Sequence, residues 1–254
     1  MTDTHRDRSI AEIVDASIQL FRSAWRELAV VMAIAYVPWL ALTTLASRAG
    51  VVSLSADAAA PAVTPTGVLL TLAGFTWLTV ASAGCIVVAS ERYLGRQPDV
   101  VSALQRALGR AWPIIGTTLV TWILTGFGLI LLLIPGLYFF ARYAVSSTVA
   151  LIEVKPVGAA LERATSLSRD RKFHILGTIG AAWLITFAIS LTVGALFGLV
   201  GLSSLSVLAE AAVGIGIGPL IPVVTTVLYY DLRIRNEGFD VELLEQQLRG
   251  GAAS

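Results

Sequence analysis

The chain is 254 residues long, with 56% hydrophobic residues, 14% charged residues and a mean hydropathy of +0.79. Soluble domains carry about a quarter charged residues, so this composition excludes a soluble globular protein and indicates an integral membrane protein. The length leaves room for about six membrane-spanning helices of roughly 20 residues, and the single cysteine, Cys85, excludes a disulfide framework within one chain.

The first predicted element is an amphipathic helix over residues 9–26. Apolar residues recur there at helical spacing, and Ser9 with Glu12 forms a capping box. Charges interrupt the first 27 residues throughout, so a cleavable signal peptide is not expected. The apolar run that follows is long enough to span a bilayer and is expected to act as an uncleaved insertion signal.

Six apolar runs, each bounded by charges or turn residues, follow one another along the chain. Each run predicts a transmembrane helix, and the six lie at residues 28–46, 67–90, 112–134, 137–152, 175–200 and 206–230. The expected fold class is therefore all-α, a polytopic membrane helix bundle that occupies residues 1–254 as a single integral membrane domain.

The third and fourth runs adjoin, and Arg142 is the only formal charge between Trp112 and Ile152. One continuous helix over this segment would measure about 61 Å, twice the roughly 30 Å hydrocarbon core. The chain must therefore reverse. Pro135 and Gly136 are predicted to form a type II hairpin turn, because proline suits its second position and glycine its third. A single kinked and strongly tilted helix is the alternative.

The basic residues test this topology independently. Of 18 lysines and arginines, sixteen lie in the N-terminal segment, in the connections 91–111 and 153–174, and in the C-terminal tail. These four segments share one side of the membrane only if there are six spans. By the positive-inside rule that side is the cytoplasm, so both termini are predicted to be cytoplasmic.

The segments that precede the third and fifth spans are alike. Residues 98–117 and 156–178 share a proline, Ala-Leu-x-Arg-Ala, a basic stretch, an aromatic residue and Ile-x-Gly-Thr. A weaker copy precedes the first span. The predicted repeat is an amphipathic interfacial helix followed by a transmembrane hairpin, used three times, with interfacial helices at residues 9–26, 99–110 and 157–170.

Two roles are open for these interfacial helices. They are packing collars that link the hairpins, or they bind anionic lipid headgroups or a cytoplasmic protein partner. The second role is suggested by basic residues clustered at headgroup level: Arg106, Arg110, Arg163, Arg169, Arg171 and Lys172.

Two charges fall inside predicted spans, and intramembrane charges are candidates for function. Arg142 follows the predicted turn by about six residues, and Glu210 follows the short connection 201–205 by about five. Similar depths predict an ion pair or polar site between the fourth and sixth helices. The alternatives are that each side chain snorkels to the outer interface, or that they act on a substrate or proton.

The sixth predicted span contains the glycine-rich stretch "GIGIGPLIP", residues 214–222. It follows no strand, so a nucleotide-binding loop is rejected. Gly218, Pro219 and Pro222 instead predict a helix break with close helix approach. Broken helices of this kind mark transport sites in some carriers, whereas purely structural kinks are commoner.

The C-terminal segment "LYYDLRIRNEGFDVELLEQQLR" begins with an interfacial pair of tyrosines, Tyr229 and Tyr230, and leads into a predicted cytoplasmic tail, residues 231–254. Gly238 suits a helix stop and Asp240 a cap for a short final helix. The predicted C-terminal motif comprises Tyr230, Asp231, Arg233, Arg235, Glu237, Gly238 and Asp240. Membrane anchoring explains the tyrosines and arginines but leaves the acidic residues without a role.

Residues for catalysis are scarce. His5 lies in a polar segment and His174 at a span boundary, and the sequence contains no HExxH, GxSxG or Walker pattern. No catalytic residue, metal site or cofactor is therefore predicted, and nucleic acid is not an expected partner.

Three stretches together resemble a known family: "LLLIPGLYFFARY", "LIEVKPVGAALERATSLSRDRKFHILG" and "YYDLRIRNEGFDVE". They are similar to bacterial six-helix proteins related to the membrane domain of glycerophosphoryl diester phosphodiesterases, over about residues 9–243. In those phosphodiesterases a separate barrel domain performs the hydrolysis. That barrel is absent from this sequence, so the resemblance implies a membrane domain and not an enzyme.

The function expected from these features is non-enzymatic. The chain is predicted to be a multi-pass protein of the bacterial inner membrane, a scaffold or accessory subunit whose basic cytoplasmic helices engage membrane lipids or a protein partner. The alternative is a transporter or lipid-handling protein with a polar site near Arg142 and Glu210. An intramembrane enzyme is a third hypothesis, which lacks a recognisable nucleophile or metal set.

Overall fold

The computed structural model describes residues 9–49, 65–199 and 206–237, and every regular element within these ranges is a helix. In chain order they are α1 Ile10–Ser23, α2 Trp25–Arg48, α3 Pro65–Tyr93, α4 Val100–Gly109, α5 Ala111–Leu131, α6 Leu133–Tyr143, α7 Ser146–Ile152, α8 Val157–Leu167, α9 Lys172–Leu199, α10 Ser206–Gly216 and α11 Leu220–Glu237. The predicted all-α class is confirmed for these residues.

Five helical segments in the described ranges are long and apolar enough to cross a bilayer. They are α2, α3, α5, α9 and the run Leu208–Asn236, which joins α10 to α11. The fourth predicted span, residues 137–152, differs because it is divided between α6 and α7, of 11 and 7 residues. The helices therefore match those of a multi-pass membrane protein.

Successive long helices pack as antiparallel pairs, first α2 with α3. Trp77 Nε1 on α3 donates a 2.9 Å hydrogen bond to the carbonyl of Ala35 on α2. One turn further along α2, Trp39 packs directly on Gly74, where a Cβ atom would collide with the indole ring. Glycine at this position therefore allows the two helices to approach closely.

The reversal between α5 and α6 lies at Leu132, so the predicted type II turn at Pro135-Gly136 is wrong. Leu132 is extended, with φ −167° and ψ 155°. Pro135 lies in the first turn of α6, where its missing amide hydrogen costs nothing. Gly136 serves close packing instead, since a Cβ atom on Gly128 of α5 would lie 2.8 Å from the Gly136 Cα. The chain does turn back, but three residues earlier than expected.

The last pair is α9 with α10 and α11, and its second member is interrupted. The interruption contains Gly218 and Pro219, whereas Pro222 lies in the first turn of α11. A Cβ atom on Gly218 would meet the carbonyl oxygen of Gly214. Helix α11 continues through residues 231–237, so these residues are helical and the predicted tail begins too early.

Three short helices, α1, α4 and α8, lie at one end of the bundle and together form the collar. The predicted capping box of Ser9 and Glu12 begins α1, and Asp99 caps α4 through the Ser102 amide. The breaks that join α1 to α2 and α4 to α5 have nearly the same geometry, with φ −118°, ψ 17° at Ala24 and φ −116°, ψ 15° at Arg110. The first predicted interfacial helix therefore ends before residue 26.

Each collar helix turns its apolar side toward the bundle. The buried residues are Ile13 and Phe21 of α1, Ala103 and Ala107 of α4, and Ala160, Ala164 and Leu167 of α8. Helix α1 lies against α9 and α11, with Ile10 directly over Gly177. The packing role foreseen for these helices is therefore present, and the headgroup role remains a prediction.

Candidate functional site

A cavity of about 540 Å³ opens at the collar end between α3, α4 and α7. We call it the arginine pocket, after a polar wall formed by Ser90, Glu91, Arg96, Arg106, Arg110 and Tyr230. Apolar side chains of α3 and α7, together with Leu94, Gly109 and Val154, complete the lining. Three arginines face one glutamate, so the pocket is positively charged and suits an anion.

The three arginines are held in different ways. Arg106 Nη1 lies 2.8 Å from Glu91 Oε1. Arg110 Nη2 donates to two backbone carbonyls, each at 3.1 Å, and its buried Nε has no hydrogen-bond partner. Arg96 makes no side-chain hydrogen bond with any residue in the described part of the chain. The pocket therefore offers unused arginine donors.

Local sequence places these arginines around one cavity. Gly95, in the left-handed region at φ 74°, follows the end of α3 and turns the chain at Arg96. Asp99 then starts α4 by accepting the Ser102 amide. Arg106 lies in the last turn of α4 and Arg110 at the break that follows it, and both side chains line the same cavity.

Val154 lines the same pocket in a left-handed conformation, with φ 54°, which β-branched residues rarely adopt. The residues on either side of Val154 are held by polar contacts. The Lys155 carbonyl accepts a hydrogen bond from Arg110, and Lys155 Nζ lies 2.9 Å from Glu153. Such backbone strain costs about 1–3 kcal/mol and clusters at functional sites.

A polar cluster next to the pocket is centred on Glu153, whose side chain is 12% exposed. Arg163 Nε donates to both carboxylate oxygens at 3.1 Å, and the Tyr229 hydroxyl donates to Oε1 at 3.0 Å. Burial acts to raise the pKa of Glu153, but the hydrogen bonds from Lys155, Arg163 and Tyr229 outweigh it and hold the pKa below its ordinary value. The ionised carboxylate thus joins α7, α8 and α11.

Polar contacts also fix the end of α11. The Tyr230 hydroxyl lies 2.6 Å from Ser90 Oγ, and its ring stacks on Tyr93 with centroids 4.5 Å apart. Asp231 Oδ2 lies 2.7 Å from Arg235 Nε, with side chains 6% and 8% exposed. Asp231, which membrane anchoring left without a role, is therefore the partner of a buried arginine.

The other members of the predicted C-terminal motif have separate outcomes. Arg233 and Glu237 belong to α11 and not to a tail. Gly238 and Asp240 lie outside the described residues. The predicted helix stop and final cap thus stay predictions.

The six predicted headgroup residues do not form one patch. Arg106 and Arg110 line the arginine pocket. Arg163 instead forms a salt bridge with Glu153. The other three lie in and around the turn from α8 to α9 and do not line that pocket: Arg169, Arg171 and Lys172.

Arg142 and Glu210 do not form the predicted ion pair. Arg142 Nε donates to Thr165 Oγ1 of collar helix α8 at 3.1 Å. Glu210 lines a separate cavity of about 380 Å³ beside Tyr36, between α2, α9 and α10. The cause is the position of the reversal: Arg142 lies ten residues past Leu132, about 15 Å along a helix, and is carried back toward the collar.

Comparison of the chain with protein-family models, with curated proteins and with solved structures finds no match. The resemblance to the membrane domain of glycerophosphoryl diester phosphodiesterases therefore stays a prediction.

Sequence reasoning did not identify Glu91, Arg96, Glu153 or Val154 as site residues. For the two glutamates a signal was present, because each is an acid at the end of an apolar run and next to a mostly basic connection. Acids in such places are expected partners of membrane-proximal arginines. Val154 had no signal, since its conformation arises from tertiary packing.

Proposed function

We propose that this chain is a non-enzymatic multi-pass protein of the bacterial inner membrane that binds the phosphate of anionic lipids and serves as a scaffold or accessory subunit. The observation that supports this proposal is the arginine pocket, in which three arginines and one glutamate surround a cavity at the collar end. Phosphate oxygens accept several hydrogen bonds, and guanidinium groups match them well. Basic pockets between transmembrane helices on the cytoplasmic side are suited to lipid headgroups.

The proposal includes six crossings, with α6 and α7 together as the fourth, and cytoplasmic termini. Three exposed aromatic residues support a common interface: Trp25, Trp112 and Phe173 are 49%, 82% and 90% exposed in the first turns of α2, α5 and α9. Such side chains favour the headgroup region, so these three helices would enter from one side. Helices α6 and α7 cover residues 133–152, close to the roughly 20 residues that one crossing needs.

Native mass spectrometry of the protein, extracted gently and titrated with anionic or zwitterionic phospholipid, tests lipid binding. Arg96→Gln removes a guanidinium that makes no hydrogen bond with any described residue, so it should weaken anionic-lipid binding about tenfold without loss of folding. The matched control is Arg22→Gln, an equal loss of charge at an exposed collar position outside the pocket. Equal losses in the two variants would contradict the proposed site. A stoichiometric protein partner in the same spectra would support the accessory-subunit role.

Labelling of single engineered cysteines with a membrane-impermeant maleimide tests the topology. The native Cys85 is buried and should stay silent. Leu132→Cys should react from the outside of intact cells, and Arg169→Cys should react only after the membrane is opened. The reverse pattern would show the opposite orientation, and labelling of both from outside would contradict six crossings.

The alternative, a transporter or lipid-handling protein with a polar site near Arg142 and Glu210, has less support. The two residues lie in different surroundings, one against α8 and the other against α2 and α9. Anionic-lipid binding is therefore the function that the geometry supports best.

A further inference from the structure

A second cavity, of about 400 Å³, lies among α3, α5, α6, α7, α9 and α11, and we call it the cleft. Apolar side chains and hydroxyl groups line it, and none of its described lining residues is charged. Its volume falls within the roughly 300–1,000 Å³ of small-molecule sites. The lining therefore suits an uncharged, largely apolar ligand.

The cleft opens toward the bilayer. Trp122 of α5 and Trp183 of α9 line it, and each is 50% exposed on the outer surface of a long apolar helix. A ligand that enters between these helices comes from the membrane. The ligand is therefore one that partitions into lipid.

Three hydroxyl groups inside the cleft lack a hydrogen-bond partner among the described residues. Ser82, Thr118 and Ser147 line it, and none of these hydroxyls makes a hydrogen bond with a residue in the described ranges. The lining also includes Gly218, whose carbonyl receives no helical hydrogen bond from residue 222 because that residue is a proline. Unpaired polar groups are costly within a membrane, so the cleft favours a ligand with a neutral hydrogen-bonding group.

We propose that the cleft binds one acyl chain of a membrane lipid, with the chain's ester group at Ser82, Thr118 and Ser147. The hydrocarbon meets the apolar lining, and the ester carbonyl accepts hydrogen bonds from the hydroxyls. The arginine pocket is adjacent, since Ile86 lines the cleft and Val87 the pocket, but binding in the cleft requires no ligand there.

Photo-crosslinking of the full-length protein in detergent, with a phosphatidylcholine that carries a diazirine in one acyl chain, tests this. Labelled peptides should include those around Ser82 and Thr118. Thr118→Phe fills the cleft and should reduce this labelling about tenfold. The matched control is Leu119→Phe, because Leu119 is exposed on the lipid side of α5 and its change should leave labelling unaltered. Equal labelling in the two variants, or labels confined to exposed helix faces, would overturn the proposal.

A second variant keeps the cavity and removes the donors. Thr118→Val with Ser147→Ala should lower labelling by the ester lipid about fivefold and leave labelling by an ether-linked analogue unchanged, since the ether has no carbonyl. Labelling by a diacylglycerol with the same diazirine should fall in the same way as labelling by the phospholipid. Arg96→Gln should not change labelling by either lipid. Equal effects on ester and ether, or an effect of Arg96→Gln on the uncharged probe, would contradict an ester site separate from the arginine pocket.

Discussion

The collar end of the bundle and its far end are packed in different ways. Along α9, the buried residues are Ile175, Thr178, Ile179 and Ala182, all in the half nearer the collar, and none of the later α9 residues that the structure describes is buried. The hydrogen bonds of Tyr229 and Tyr230 to other helices also lie at the collar end. In lipid, apolar side chains gain little by packing on protein, whereas polar groups gain much by pairing. Polar contacts between helices therefore concentrate at the collar end, whereas in the far half the helices meet by close approach at glycines such as Gly74 and Gly128.

Loss of the Glu153 carboxylate should have the largest effect on the collar end. Glu153→Gln removes the carboxylate charge that Arg163, Lys155 and Tyr229 surround, so the free energy of unfolding should fall by about 3 kcal/mol, measured by denaturant titration in micelles. The matched control is Glu162→Gln on the exposed side of α8, which should change it by less than about 0.5 kcal/mol. Equal small losses would contradict the importance of the cluster.

The same carboxylate predicts a pH dependence. The pKa of Glu153 is lower in the folded protein than its ordinary value of 4.5. Its contribution to stability is therefore complete above pH 4.5 and is lost as the pH falls through the lower folded-state pKa. Below the folded-state pKa of Glu153, the free energies of unfolding of the wild type and of Glu153→Gln should converge. A difference between them that stays constant with pH would contradict a stabilising role for the ionised Glu153.

The buried pair on α11 provides the next largest test. Asp231→Asn removes the charge that faces Arg235 at 2.7 Å and should cost about 2 kcal/mol of unfolding free energy. Asp170→Asn makes the same chemical change at an exposed turn position and should be nearly neutral. Comparable melting temperatures for the two variants would show that the end of α11 does not depend on this pair.

Relief of backbone strain at Val154 should raise the free energy of unfolding, whereas the preceding changes lower it. Val154→Gly suits the left-handed backbone, so stability should rise by about 0.5–1 kcal/mol after the entropy cost of glycine. Val101→Gly, in the exposed face of α4, should instead cost about 1 kcal/mol. A loss of stability at position 154 would contradict the strained conformation. If the strain serves the pocket, the stabilised variant should bind anionic lipid less tightly.

The smallest effect is expected for the coupling energy between Arg142, near the collar, and Glu210, away from it. Arg142→Leu and Glu210→Leu should be additive within about 0.5 kcal/mol in a double-mutant cycle, because the residues lie in separate surroundings. The arginine change should cost more, since it alone removes an interhelical hydrogen bond to Thr165. A coupling energy above about 1 kcal/mol would restore the ion-pair hypothesis.

Parts of the site were accessible from sequence, and other parts were not. Arg106 and Arg110 were predicted from charge clustering, and both line the arginine pocket. Arg163 belonged to the same cluster of basic residues, yet it forms a salt bridge with Glu153. Charge spacing identifies which residues reach the membrane interface, but it does not indicate which of them are neutralised by a partner on another helix.

The all-helical class, the long apolar helices and the capping box of α1 followed from the sequence alone, because hydropathy and helix capping are local properties of neighbouring residues. The reversal at Leu132, the separation of Arg142 from Glu210 and the left-handed Val154 were decided only by the tertiary structure. So was the Tyr229–Glu153 hydrogen bond, which joins residues 76 positions apart. Such contacts depend on how complete helices pack against one another, and the energy of that packing is not contained in any single segment.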